Sequence, residues 1–191
     1  MTTATPIGRM TYPEYLAFEA AAPSKHEYVC GEVFAMAGGT PEHAGLAAAM
    51  AAVLARALED RPCRAFSSDG RVRVEATDLS TYPDISVVCG KLENSGIDQD
   101  AIVNPVLLVE ILSDSTEAYD RGEKAAHYRR IPSLREYLLV SQRERRLELF
   151  RRGEHGEWLL LEAGAGERVE LASIGASIAV DDVYRNPLSA E

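Results

Sequence analysis

Apolar residues along this chain change period from segment to segment, and each change predicts an element. Thr11 can cap a short helix, and Glu14 follows at capping-box spacing. Tyr15, Leu16 and Phe18 fit one face of that helix, and Pro23 ends it. Residues 1–10 before it read as a flexible arm. Residues 27–30 and 32–36 read as two short strands around a tight turn or bulge at Gly31. After the loop Gly38-Gly39-Thr40-Pro41, residues 43–59 carry Leu46, Met50, Val53, Leu54 and Leu58 at helical spacing. That helix is Ala-rich and apolar nearly all round, so it is expected to pack against a sheet, and Pro62 closes it.

A strand series follows at 63–67, 71–75, 84–89 and 106–112, with Asp69-Gly70 as a strong hairpin signal. The stretch 90–105 reads as a long polar loop. A second helix is expected over 116–130, capped by Ser115 or Thr116 and ended by Pro132. Then come a strand at 136–140, a hairpin of 145–151 with 157–162 over His155-Gly156, and short strands around Val169 and Ile178. Strands cluster between two helices rather than alternating with them, which predicts one α+β domain over 1–191 and argues against a doubly wound nucleotide-binding sheet. No Gly-rich phosphate loop of either common type is present.

Composition adds bounds. At 191 residues, 46% hydrophobic and 26% charged, the chain can bury a real core. No apolar run approaches the ~18 residues of a membrane span, and the first ten residues lack a secretory pattern. Cys30, Cys63 and Cys89 are in no zinc-like spacing and are expected to be reduced thiols in a cytoplasm. The net charge of -10 counts against diffuse binding to nucleic acid, though not against a local basic groove. Only Lys25, Lys91 and Lys124 are lysines. The basic run Arg143, Arg145, Arg146, Arg151 and Arg152 is interspersed with Glu144, Glu148, Glu154 and Glu157, and reads as a solvated, salt-bridged hairpin.

Two acids stand out against this background. Asp84 and Glu110 each sit in an apolar strand-like run, where an ionised carboxylate is costly unless paired, hydrogen-bonded or bound to metal. Asp84 begins its strand and Glu110 lies near the end of the next, so antiparallel pairing of these consecutive strands brings them together. An Asp84-opposite-Glu110 register puts both on one sheet face, roughly 5 Å apart at Cβ. A slip of one residue would separate them. Taken singly, Asp84 can cap a strand and Glu110 can pair with an arginine; together they describe a site for a hard divalent cation. On the second helix Asp120, Lys124 and Tyr128 share one face that can approach the acids, with His127 close to it. There Lys124 can stabilise charge, or simply pair with Asp120 at i, i+4. His43 starts the first long helix, where it can cover the helix end, sit in a polar contact or serve as a ligand.

The ordered set of segments resembles a known family. Glu27-Tyr28-Val29-Cys30-Gly31-Glu32-Val33, Met36-Ala37-Gly38-Gly39-Thr40 with His43, and Tyr82-Pro83-Asp84-Ile85-Ser86-Val87-Val88 are followed by Val109-Glu110-Ile111-Leu112-Ser113 with Ser115-Thr116. Lys124 with Tyr128 and Arg135-Glu136-Tyr137-Leu138-Leu139-Val140 complete it. Together they are similar to the PD-(D/E)XK nuclease superfamily and, more narrowly, to the Uma-type restriction endonucleases. The resemblance implies a restriction-endonuclease-like mixed sheet flanked by two main helices, with extra C-terminal β-hairpins. It implies Mg²⁺-dependent hydrolysis of DNA phosphodiester bonds, with Mn²⁺ as a substitute ion. Asp84, Glu110 and the carbonyl of Ile111 would bind metal, Lys124 would be catalytic, and Glu32 would be an additional acid. Cutting both strands of a duplex would favour a homodimer. Where the superfamily places its lysine, two residues after the glutamate, this chain has Leu112, so Lys124 would have to take that role. Two further readings use the same residues: a catalytically silent nuclease-fold module that binds nucleic acid or protein, and a metal-dependent phosphoesterase on small substrates.

Overall fold

The computed structural model describes residues 5–36, 38–186 and 188. In chain order the main elements are β1 (Gly8–Arg9), α1 (Tyr12–Ala21), β2 (His26–Val29), β3 (Glu32–Ala35), α2 (Pro41–Ala57), β4 (Cys63–Ser67), β5 (Arg71–Val74), β6 (Leu79–Thr81) and β7 (Ile85–Cys89). They continue as β8 (Ala101–Ile102), β9 (Leu107–Ile111), α3 (Glu117–Tyr119), a π-helical turn (Asp120–Lys124), α4 (Ala125–Tyr128), β10 (Glu136–Val140), β11 (Arg146–Arg152), β12 (Trp158–Gly164), β13 (Arg168–Leu171), β14 (Ala176–Ala179) and α5 (Val180–Val183).

The strands form two mixed six-stranded sheets, ordered β1-β3-β2-β6-β5-β8 and β12-β11-β10-β9-β7-β4, and a separate β13-β14 hairpin. The mixed α+β class is as the sequence implies. Local chemistry explains the joints. α1 starts with the Thr11–Glu14 capping box. Cys30 and Gly31, both at positive φ, make the tight β2–β3 turn. Thr40 caps α2 by accepting from the His43 N–H.

The second sheet carries the core on both faces. Ile85, Val87, Leu107, Val109 and Ile111 pack against Leu46, Met50, Val53 and Leu54 of α2. The alternate residues Val88, Leu108, Leu112 and Leu139 pack against Ala125 and Tyr128 from the 117–128 helix. Period-2 alternation therefore sorts each strand between two helices, one per face.

Three expectations are modified. Asp69-Gly70 does make a turn, with Gly70 N–H donating to the Ser67 carbonyl at 2.9 Å. The flanking strands do not pair with each other, however: β4 pairs with β7 and β5 with β6 and β8, in different sheets. Cys63 and Cys89 are not free thiols. They face each other across β4 and β7 and are joined by a disulfide, while Cys30 is free and exposed. Of the expected flexible arm, residues 1–4 lie outside the described residues, and Gly8–Arg9 pairs with β3. Ala37, part of the motif around Met36, also lies outside them. No helix among the described residues is long and apolar enough to cross a membrane.

Candidate active site

Strands β7 and β9 are antiparallel, with Ile85 opposite Val109 and Ser86 opposite Leu108. The same register continued by one residue sets Asp84 opposite Glu110, on the sheet face covered by the 117–128 helix. Both acids line one cavity of about 380 Å³, together with Glu27, His43, Ile111, Tyr119, Asp120 and Lys124.

Each acid is held from one side. Asp84 Oδ2 accepts the Ile111 backbone N–H at 2.7 Å and lies 3.3 Å from His43 Nε2. Glu110 Oε1 accepts the Tyr128 hydroxyl at 2.7 Å and lies 2.8 Å from Lys124 Nζ.

The helix delivers its polar face through the π-helical turn Asp120–Lys124, in which both end residues are buried. The Tyr137 hydroxyl donates to the Asp120 carbonyl at 3.1 Å, and a side chain inserted into a helix ladder is one cause of such local distortion. Asp120 Oδ1 is 3.3 Å from Lys124 Nζ, yet it is fully buried without a directed hydrogen bond. An incompletely satisfied anionic oxygen beside two further carboxylates leaves the cavity short of positive charge.

The electrostatics follow from that shortage. Burial pushes the Glu110 carboxyl up to about 8, and Asp120 and Asp84 add to the rise while Lys124 opposes it. Burial works against the Lys124 ammonium, but Glu110, Tyr128, Asp120 and Glu27 outweigh it and hold its pKa well above the ordinary lysine value. His43 is raised mainly by its hydrogen bond to Asp84. With Lys124 charged and anions around it on three sides, a proton on Glu110 is the metal-free way of limiting the repulsion.

The donors fit a hard cation. No three His, Cys, Asp or Glu side chains among the described residues close into a metal cage. Mg²⁺ does not require one, because it takes one or two carboxylates and keeps several waters. Asp84, Glu110 and a nearby backbone carbonyl such as that of Ile111 are oxygen donors of that kind.

Of the residues singled out from the sequence, Asp84, Glu110, Ile111, Lys124, Asp120 and His43 come together. Glu32 does not. It sits at the turn end of β3, half-exposed, 3.9 Å from the Arg9 guanidinium, and does not line the cavity. The buried acid of that hairpin is Glu27, which accepts from Thr81 Oγ1 at 2.5 Å and from the Tyr119 hydroxyl. The basic run is largely ion-paired, as expected: Arg143 with Asp114, Arg145 with Asp181, Arg146 with Glu148 and Arg151 with the fully buried Glu136.

Comparison with known proteins agrees with this architecture. An uncharacterized protein of Synechocystis sp., slr1290, is 38% identical over 180 residues, covering 94% of each chain. A second from the same organism, sll1609, is 34% identical over 162 residues, covering 85% of this chain and 91% of its own. The crystal structure of "a putative nuclease belonging to DUF820" from Anabaena variabilis superposes with a TM-score of 0.72 at 19% identity, covering 92% of this chain and 97% of that one; at that identity the likeness speaks for the fold. Residues 12–181 match the family Uma2, whose description reads "Putative restriction endonuclease". With most of its length inside that match, this chain belongs to the Uma2 family.

Proposed function

We propose that the protein is a metal-dependent phosphodiester hydrolase, an endonuclease acting on DNA with Mg²⁺, or Mn²⁺ in its place. The observation that carries the reading is the convergence of Asp84 and Glu110 with Lys124 on one cavity. Asp84 and Glu110 would hold the ion, with the Ile111 carbonyl as a third oxygen donor. When bound, the ion supplies positive charge against the phosphate and a place for the attacking water.

The chain's own groups have separate tasks. The Ile111 N–H and His43 orient Asp84 through Oδ2. Tyr128 fixes Glu110 through Oε1. Lys124 stays charged and presents a donor beside the acids, where it can hold a water or meet charge that grows on a phosphate oxygen. Glu110 foremost, with Asp120 and Glu27, keeps Lys124 in its ammonium form. Glu32 has no part in this reading.

A smaller phosphoester substrate is favoured by one feature: Lys124 is the sole lysine or arginine along the described cavity wall, among four acids. Calorimetric titration of Mg²⁺ into wild type and Asp84→Ala, beside cleavage assays on duplex DNA and on a small phosphodiester, separates the readings. Binding lost in the variant with cleavage of DNA is the expected result. No binding at millimolar Mg²⁺, or equal binding by both proteins, refutes the metal reading. Metal binding without turnover on either substrate would instead mark a silent nuclease-fold module.

A further inference from the structure

The second sheet ends in β12, and among the described residues no strand pairs with its outer edge. Sheet edges are normally guarded by charge, proline, a bulge or a covering element. β12 has seven residues, Trp158-Leu159-Leu160-Leu161-Glu162-Ala163-Gly164, with one charge and no proline. Leu159, Leu160 and Leu161 are 51%, 50% and 39% exposed, so both faces of this edge are apolar.

The direction of its backbone groups can be worked out. The Gly153 N–H donates to the Glu157 carbonyl at 2.8 Å and closes the β11–β12 hairpin. Bonded and non-bonded pairs alternate along an antiparallel ladder. The next pair, Arg152 with Trp158, is therefore non-bonded. It follows that Leu159, Leu161 and Ala163 turn their N–H and C=O groups towards β11. Trp158, Leu160 and Glu162 turn theirs outward.

We propose that β12 is a homodimerisation edge, on which a second copy of this chain pairs antiparallel through its own β12 about a two-fold axis at Leu160. In that register Trp158, Leu160 and Glu162 exchange backbone hydrogen bonds with the partner's Glu162, Leu160 and Trp158, and no outward group of the three is left unpaired. The contact is self-complementary, as an isologous interface must be.

Charge selects this register. Glu162, the lone charge of β12, comes opposite the partner's Trp158. That indole lies under the guanidinium groups of Arg129, at 5.8 Å, and Arg152, at 5.1 Å. Neither arginine has an acidic partner among the described residues, while Glu162 has only Arg146 at 3.9 Å. Centring the pairing on Leu161 would put Glu162 against the partner's Leu160 and forfeit the match.

The contact is short, below the ~1,200 Å² of a standard stable interface, so the dimer is weak, with a dissociation constant on the order of micromolar. Its geometry has a consequence for the site. A two-fold axis normal to the sheet keeps both cavities on the same face of one continuous sheet. From β9 to the partner's β9 there are seven strand spacings, about 34 Å at ~4.8 Å each. Only this consequence rests on the nuclease reading; the interface itself does not.

Sedimentation of the full chain from about 1 to about 300 µM tests it, with emission from Trp158, the one tryptophan. Wild type should approach twice the chain mass while the emission moves to shorter wavelength over the same range. Leu160→Lys sets two ammonium groups face to face across the axis and should weaken association about tenfold or more, with circular dichroism and Tm unchanged. Glu162→Arg should weaken it too, and Glu162→Arg with Arg129→Glu should restore it. A chain that stays monomeric throughout, or an association indifferent to Leu160→Lys, overturns the proposal. So does an Arg129-dependent affinity for DNA in a chain that shows no self-association.

Discussion

Glu110→Gln tests the electrostatic account of the cavity without needing activity. In the unfolded chain this carboxyl ionises at its ordinary value of 4.5; in the folded, metal-free protein it does so at about 8. Between these values the folded state keeps a proton that the unfolded state has lost. Stability must therefore fall as pH rises through that window, and the loss is complete above about pH 8. An interval of about 3.5 pH units at ~1.4 kcal/mol each gives an upper bound near 5 kcal/mol, which coupling to Lys124 reduces to a few. The glutamine oxygen can still accept from Tyr128 and Lys124, so the hydrogen bonds survive while the titrating charge does not. Urea unfolding in chelator at pH 5, 7 and 9 is the assay. Relative to wild type, the variant should gain roughly 2–4 kcal/mol between pH 5 and pH 9. In millimolar Mg²⁺ the wild type should recover its stability at pH 9, because the ion takes the proton's place, and the variant should show no such gain. Parallel pH curves for the two proteins would refute the reasoning, whatever their offset.

Lys124→Met leaves Asp120 buried without its cation, while Glu110 keeps its proton, and should cost about 3–5 kcal/mol in unfolding at neutral pH, with Mg²⁺ affinity by calorimetry undiminished and cleavage lost. The raised pKa of His43 means that its pair with Asp84 contributes fully below the ordinary value of 6.5 and disappears as pH rises through the raised one. In His43→Gln that component of the melting profile should be gone, and an imidazole NMR titration of wild type should show the raised midpoint move down when Mg²⁺ is added. The Cys63–Cys89 bridge spans 26 residues, and chain entropy assigns a loop of that size about 3.5 kcal/mol. Cys63→Ser with Cys89→Ser should lower stability by that order, and reductant should do so for wild type but not for the variant.

What could be read in the sequence was whatever depends on local pattern and chain order. β10 occupies 136–140 as expected, because the four consecutive apolar residues Tyr137, Leu138, Leu139 and Val140 after Glu136 read as a strand buried on both faces. The Asp84–Glu110 register was legible because one acid opens a strand and the other nearly closes the next. Glu27 was not legible. Its inward position depends on β6, three residues long and without a strand signature, whose Thr81 hydroxyl meets the Glu27 carboxylate. Glu32 shares the face of Glu27, since Glu27 pairs with Phe34 and Val29 with Glu32, but it falls at the turn end of the hairpin and is solvated. The disulfide was hidden for a similar reason. Cysteines this far apart in sequence are neighbours only once β4 leaves its Asp69-Gly70 turn for a different sheet and pairs with β7.

The same alternation shows where a lysine at position 112 would lie. Position 112 lies two residues beyond Glu110, so a side chain there points to the same, helix-covered side of the sheet. Leu112 is buried on that side in the cluster that also holds Val88, Leu108 and Ala125. A lysine at 112 would have to bring its charge through this apolar layer. The 117–128 helix lies over that layer and faces the same carboxylate from above. Its π-helical turn buries Asp120 and Lys124 together and sets Lys124 Nζ 2.8 Å from Glu110. The ammonium therefore reaches the acid from the helix instead of the strand, the apolar layer stays intact, and Asp120 and Tyr128 hold the lysine and the glutamate in place.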